Sequence, residues 1–216
     1  MDRRAYLAAT GICGLALAPG CLGGADRDSE PTDDQFYNAV NVSIVDHPVT
    51  EPVSFSDSHR CPVCNMRPVD YRTWASQLAH ADGTGLFFET PGCLLAYRAV
   101  GHSHPTDAPI ERVWFTDYGT NELFDAADGY LVGETAVETQ DEPMSGSPVP
   151  FATRERAAAY VDDADHLGTD AILTLDDVGD DLARFYRGMR MPDPTPSVTG
   201  SGSFSGPIDS RIHNRD

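Results

Sequence analysis

The residues of this chain best suited to chemistry are sulfurs. Cys61 and Cys64 form a Cys-x-x-Cys pair, and Met66 follows two positions later. Such a pair brings two sulfurs within reach of one ion, and Met66 adds a thioether to the same loop. Thiolate and thioether donors are soft and select Cu(I), whereas hard oxygen donors select Mg or Ca, and a zinc site normally closes with four sulfur or nitrogen ligands. No second Cys-x-x-Cys and no finger-spaced histidine pair is present to complete a zinc site. Met144, flanked by Glu142, Pro143, Ser145 and Gly146, lies in a stretch without helical periodicity and offers a second thioether. Taken alone, it reads first as a core gap-filler. A thioredoxin-like redox pair would open a long helix, and Pro68 close behind argues against one.

The other cysteines sort by position. Arg3 and Arg4, then Tyr6 and Leu7, lead an apolar run to Ala18 that is too short to span a bilayer and reads as a twin-arginine export signal. Ala18, Pro19, Gly20 and Cys21 have the form of a lipoprotein cleavage site. Cys21 is then expected to be the first mature residue and the lipid attachment point, with two or more acyl or isoprenoid chains, because one chain anchors only marginally. An ordinary secretory signal with an incidental cysteine is the plainer alternative. Cys13 is lost with the signal, which leaves Cys61, Cys64 and Cys93 as thiols. Three is not a disulfide framework, and an odd number in an exported chain invites a reactive or metal-binding explanation. Cys93 itself is expected as a small buried hydrophobe rather than a ligand. His102 and His104, a His-x-His pair ahead of Pro105, are expected as solvated loop residues, and the acidic pairs at 162–163 and 176–177 as solvated helix ends.

The elements that must hold these residues follow one pattern twice. Strands over 73–79 and 85–88 flank a turn at Asp82 and Gly83. Thr90 is placed to cap a helix with Pro91 at its first position, and Cys93, Tyr97 and Val100 share one face of it. A strand at 112–116 follows. The second half repeats the order, with strands at 122–125, 129–132 and 149–152. A helix capped by Thr153 then runs to 164, striped by Ala157, Tyr160, Val161 and Ala164. A short strand at 171–174 and a last helix at 176–187 complete it. The fold class predicted is α+β, two small antiparallel units in one folded domain over 56–191. Before it lie the signal over 1–20 and a flexible lipid-anchored stalk over 21–55, within which Val40, Val42 and Ile44 alternate as a short strand would. After it comes a Pro- and Gly-rich tail over 192–216, expected to be disordered.

Composition narrows the partners. Acidic side chains number 34 against 15 basic ones, all of them Arg, for a net charge of −19. Phosphate binding needs a basic footprint, so this balance argues against nucleic acid as a partner. Dense carboxylates keep a protein hydrated and dispersed in concentrated salt, where screening is nearly complete, and the balance reads as that of a salt-loving organism. Apolar residues make up 40% of the chain and come in periodic blocks, unlike those of an acidic disordered protein.

Five stretches in order resemble the NosL family of nitrous oxide reductase accessory lipoproteins, here with the composition of a halophilic archaeal protein. The family's Cys-x-x-Cys-Gly-Met signature is similar to Cys61, Cys64, Asn65, Met66. Its first helix, entered from an apolar strand, resembles Phe87, Phe88, Glu89, Thr90, Pro91, Gly92, Cys93. Its Trp-x-x-Asp-Tyr strand resembles Trp114 through Tyr118, its Asp-Ala segment resembles Phe124 through Tyr130, and its Pro-Met-Gly segment resembles Pro143 and Met144 ahead of Pro150, Phe151 and Ala152. Asn65 and Ser145 stand where the family has Gly, and Asn is tolerable because it visits left-handed backbone. The resemblance implies two related ββαβ units, a fold shared with part of the organomercurial lyases. It also implies a Cu(I)-binding lipoprotein on the outer face of the cell membrane, no catalytic turnover, and Cys64, Met66 and Met144 ranked ahead of Cys61 as ligands. The implied partners are nitrous oxide reductase and its membrane copper-delivery complex. Two competing functions remain: a general copper scavenger, and a carbon–mercury-cleaving thiol enzyme. The latter needs a carboxylic acid between two thiols, and only Asp57 and Asp70 stand near the Cys-x-x-Cys in the chain.

Overall fold

The computed structural model describes residues 42–100 and 104–193. Among them are seven strands: β1 (Ser76–His80), β2 (Gly85–Phe88), β3 (Ile110–Thr116), β4 (Leu123–Asp125), β5 (Tyr130–Val132), β6 (Val149–Phe151) and β7 (Ile172–Leu173). Three helices accompany them: α1 (Pro91–Ala99), α2 (Arg154–Asp162) and α3 (Asp180–Arg187). The export signal, Cys21, His102 and the tail from 194 lie outside the described residues.

Local chemistry sets each element. Asp82 accepts the Thr84 amide at 2.9 Å and Gly83 takes φ +84°, which turns β1 back into β2. Thr90 then accepts the Cys93 amide at 3.4 Å and Pro91 opens α1, a preorganised helix start. After α1 the chain returns to the far side of β1, so the strand order is β2-β1-β3. The second half does the same. The hairpin β5–β6 is followed by α2, capped by Thr153, and β7 returns to β5 to give β6-β5-β7. In each copy the first strand is central and a nine-residue helix makes the crossing. The fold is therefore α+β with two ββαβ units, as expected. One strand changes sides: β4, grouped by sequence order with the second half, pairs antiparallel with β3 and extends the first sheet, where Phe124 packs against Phe115. Pro150 in β6 lies on an edge strand, where a missing N–H is tolerated.

The first sheet is buried on both faces, which requires two covers. Leu78, Leu86, Val113 and Phe115 face a core built with Leu94, Leu95 and Tyr97 of α1. On the other face Gln77 sits between its cross-strand neighbours Phe87 and Trp114. His47 stacks on Trp114 at 5.3 Å and His59 on Phe87 at 3.6 Å, while the Val53 amide and carbonyl both bond the Gln77 side chain at 2.8 Å. Ile44 bridges to Gly85, where a Cβ would fall 2.5 Å from the His47 ring. The folded domain thus begins by residue 44 rather than at 56. Residues 44–55 are not stalk, because the second face of the sheet needs them. The second sheet packs Val132, Val149 and Phe151 with Trp74 and with Ala157 and Val161 of α2. Helix α3 starts at 180 rather than 176, after a one-turn 3-10 segment that Thr174 and Asp177 cap reciprocally, and it lies against α1.

Candidate metal centre

The Cys61–Met66 segment closes on itself. The Cys61 amide donates to the Met66 carbonyl at 2.9 Å and the Asn65 amide to the Cys61 carbonyl at 2.8 Å. Asn65 turns the corner at φ +63°, a left-handed backbone that Asn, like Gly, accepts. A 3-10 turn starting at Pro68 follows, not the long helix of a redox pair. Cys61 is fully buried, and Cys64 and Met66 are half-buried.

Cys93 enters from the first turn of α1, and the sulfurs of Cys61, Cys64 and Cys93 all lie within 4.8 Å of one another. Cys93 is buried, as expected, but it is a member of the site rather than a bystander. Spacing along the chain could not show this, since folding alone carries the start of α1 to the 61–64 loop. The cluster contains no histidine among the described residues. His104, expected to be solvated, stacks on Tyr97 at 4.2 Å and bonds its carbonyl at 3.0 Å.

Glu89 sits between two of the thiols, and sequence reasoning missed it. Its Oε2 accepts from Cys64 Sγ at 3.4 Å and Cys93 Sγ at 3.6 Å, while Oε1 is buried with no hydrogen-bond partner. Burial, reinforced by the charges of Cys93 and Glu142, pushes its carboxyl up to about 9, so at neutral pH it is a protonated acid. The signal available was its place directly before the Thr90 helix cap, the residue that the β2–α1 junction turns inward.

The three sulfurs titrate as one cluster. Burial pushes Cys61 up, but hydrogen bonds from the Cys64 and Cys93 side chains and from the Glu89 and Cys64 backbone outweigh it and hold Cys61 well below 9.0. Cys64 is raised, first by its hydrogen bonds to Cys61 and Cys93, and burial first of all raises Cys93 to about 11. The shifts run in opposite directions, so the cluster favours losing one proton over losing all three.

The backbone of the Met144 loop is tied to Cys93 through a second buried group. Arg187 of α3, 2% exposed, donates from Nε to Cys93 Sγ at 3.2 Å and pairs with Glu142 at 2.7 Å. The other Glu142 oxygen accepts the Met144 and Gly146 amides, both at 2.7 Å. Met144 is half-buried, and its carbonyl lies 3.5 Å from the guanidinium that also holds Cys93. Ser145 turns this loop at φ +65°, which explains why a Gly suits the position.

Three clustered thiols fit a soft metal ion, because all the donors are sulfur. A sulfur-lined α+β domain whose three thiols could hold a metal ion is what fold and site define together. The NosL family model matches residues 52–183, more than half of the chain, and the protein belongs to the NosL family, whose members are associated with copper. No curated protein matches the chain.

Proposed function

We propose that the protein is a Cu(I) carrier. It takes one Cu(I) onto two to four sulfurs drawn from Cys61, Cys64 and Cys93 and the thioethers of Met66 and Met144, and hands it on for assembly of the copper centres of nitrous oxide reductase. It works at the outer face of the cell membrane, exported through its Arg3–Arg4 signal and anchored by lipid on Cys21. The observation that carries the reading is the set of three thiols within 4.8 Å in a chain of this family. Transfer follows from exposure. Cys61 and Cys93 are fully buried while Cys64 is half-buried, so an incoming ligand attacks on the Cys64 side and displaces the sulfurs in turn. The full chain, reduced and free of metal, binds one equivalent of Cu(I) and keeps it against equimolar Zn(II); preference for zinc overturns the reading. Transfer of that copper to apo nitrous oxide reductase, faster than release to buffer, separates a dedicated carrier from a general scavenger.

Glu89 supports a second reading, the cleavage of carbon–mercury bonds. The acid missing from the neighbourhood of the Cys-x-x-Cys in sequence stands between Cys64 and Cys93 in space. In such a reaction two thiolates would bind mercury, the Glu89 carboxyl would protonate the departing carbon, and mercury would stay on sulfur. Full burial of Cys61, Cys93 and Glu89 favours a bare ion over one with an organic group. Incubation with phenylmercury decides between them: released benzene supports the lyase, and intact phenylmercury leaves the carrier.

A further inference from the structure

Arg187 is an unusual residue to find in a core. Every donor of its guanidinium is used. Nε reaches Cys93 Sγ at 3.2 Å, Nη1 the carbonyls of Gly146 at 2.6 Å and Tyr186 at 2.9 Å, and Nη2 both Thr90 Oγ1 and Glu142 Oε1 at 2.7 Å. These partners come from the start of α1, from the Met144 loop and from α3 itself. Gly92 leaves the room, since a Cβ there would stand 3.1 Å from the guanidinium carbon. The base of the loop is held separately, by Gln140 against both backbone groups of Ser147, so the Arg187–Glu142 pair is what fixes the tip that carries Met144.

A fold clamp alone is a poor account of this arrangement. Desolvating two charges offsets most of what their attraction returns, and apolar replacements of buried ion pairs are often as stable. What an apolar side chain cannot do is donate to a sulfur and to a carboxylate at once, in fixed directions. The sulfur served is one of the three metal-capable thiols, and a thiolate bound to metal keeps lone pairs to accept the same bond. Arg187 also lies beyond the family match, which ends at 183.

We infer that Arg187 is the positioning residue of the metal centre, holding Cys93 Sγ and the Met144 loop in one frame so that metal on the thiols is coupled to the rigidity of that loop. This rests on the Cu(I) reading and adds its coupling to α3. Metal held on Cys93 is then felt at the Glu142–Ser147 tip through the Arg187 guanidinium.

The test compares the reduced full chain with Arg187→Gln and Arg187→Lys. Cu(I) affinity is measured by competition with a chromophoric chelator, sulfur coordination by X-ray absorption, and amide hydrogen exchange at 142–147 with and without Cu(I). In the wild type, Cu(I) slows exchange of the Met144 and Gly146 amides. Arg187→Gln lowers affinity by about 10- to 100-fold, the scale for groups that orient metal ligands, reduces the count of sulfur neighbours, and abolishes the exchange response. Arg187→Lys does not restore it, because an ammonium cannot reproduce the fork. Wild-type affinity together with a retained exchange response in Arg187→Gln overturns the inference. So does a wild type that binds Cu(I) with no change at 142–147, a comparison that stands even if the variants fail to fold. A wild type that binds no Cu(I) sinks the carrier reading and this inference with it, whereas normal binding without loop response sinks the inference alone.

Discussion

Replacing Glu89 by Gln keeps the shape and the oxygen that Cys64 and Cys93 face, but removes the carboxyl's proton chemistry. The folded carboxyl titrates at about 9 against an ordinary 4.5, so the native state holds a proton that the unfolded chain gives up. Glu89 therefore contributes fully below pH 4.5, and stability drains away as pH rises towards 9. At 1.36 kcal/mol per pH unit, the wild type loses about 1 kcal/mol by pH 5 and about 5 kcal/mol by pH 8 from this group. Glu89→Gln does not titrate, so the metal-free variant should outlast the wild type by about those amounts, a large share of a total stability of about 5–15 kcal/mol. Urea unfolding of both proteins at pH 5 and pH 8, with reductant and a copper chelator, measures the difference directly. Equal stability at both pH values means that Glu89 is ionised in the folded protein, and its role as a buried acid between thiols is then wrong.

Cys64→Ser and Cys93→Ser each replace a soft sulfur by a hard hydroxyl and lower Cu(I) affinity at least about tenfold in chelator competition; normal affinity in Cys93→Ser would return that residue to the core. Met66→Leu and Met144→Leu lose less copper affinity and leave apo melting nearly unchanged, since volume-conserving swaps cost under about 1.5 kcal/mol, and a Met144→Leu protein with unaltered copper binding removes that thioether from the ligand set. Ser145→Gly relieves a left-handed residue at φ +65° and gains roughly 0.5–1 kcal/mol in urea unfolding, with a loss showing that the Ser side chain is needed. Cys21→Ser releases the protein from membranes into the medium, as fractionation and blotting would register, and unchanged membrane association removes the lipid anchor.

Local signals in the sequence carried the elements, and spatial ones did not. Thr90 with Pro91 and Thr153 marked both helix starts, and Asp82-Gly83 marked the first hairpin, because caps and turns are made by residues adjacent in the chain. The site was half readable. Cys61, Cys64 and Met66 share a loop, whereas Glu89, Cys93 and Arg187 reach the same point from the end of β2, from α1 and from α3. Cys93 looked like core because its helix face is core, and Arg187 drew no reading because an Arg in a last helical turn carries no local signal of burial. The start of the domain was misplaced because His47 and Gln77 fill that face with polar atoms satisfied by each other at 3.0 Å, a cover that hydrophobic periodicity cannot register.

The two ββαβ units differ most in one connection. Residues 81–84 join the hairpin β1–β2, whereas 133–148 join its counterpart β5–β6. The long connection holds Glu142 and Met144, and the thiols stand in the other half of the molecule. Duplication of a single module, followed by lengthening of one hairpin in one copy, would account for that split. The 133–148 connection can therefore change in length or sequence without disturbing the thiols, and Arg187 is the point at which such a change would reach them.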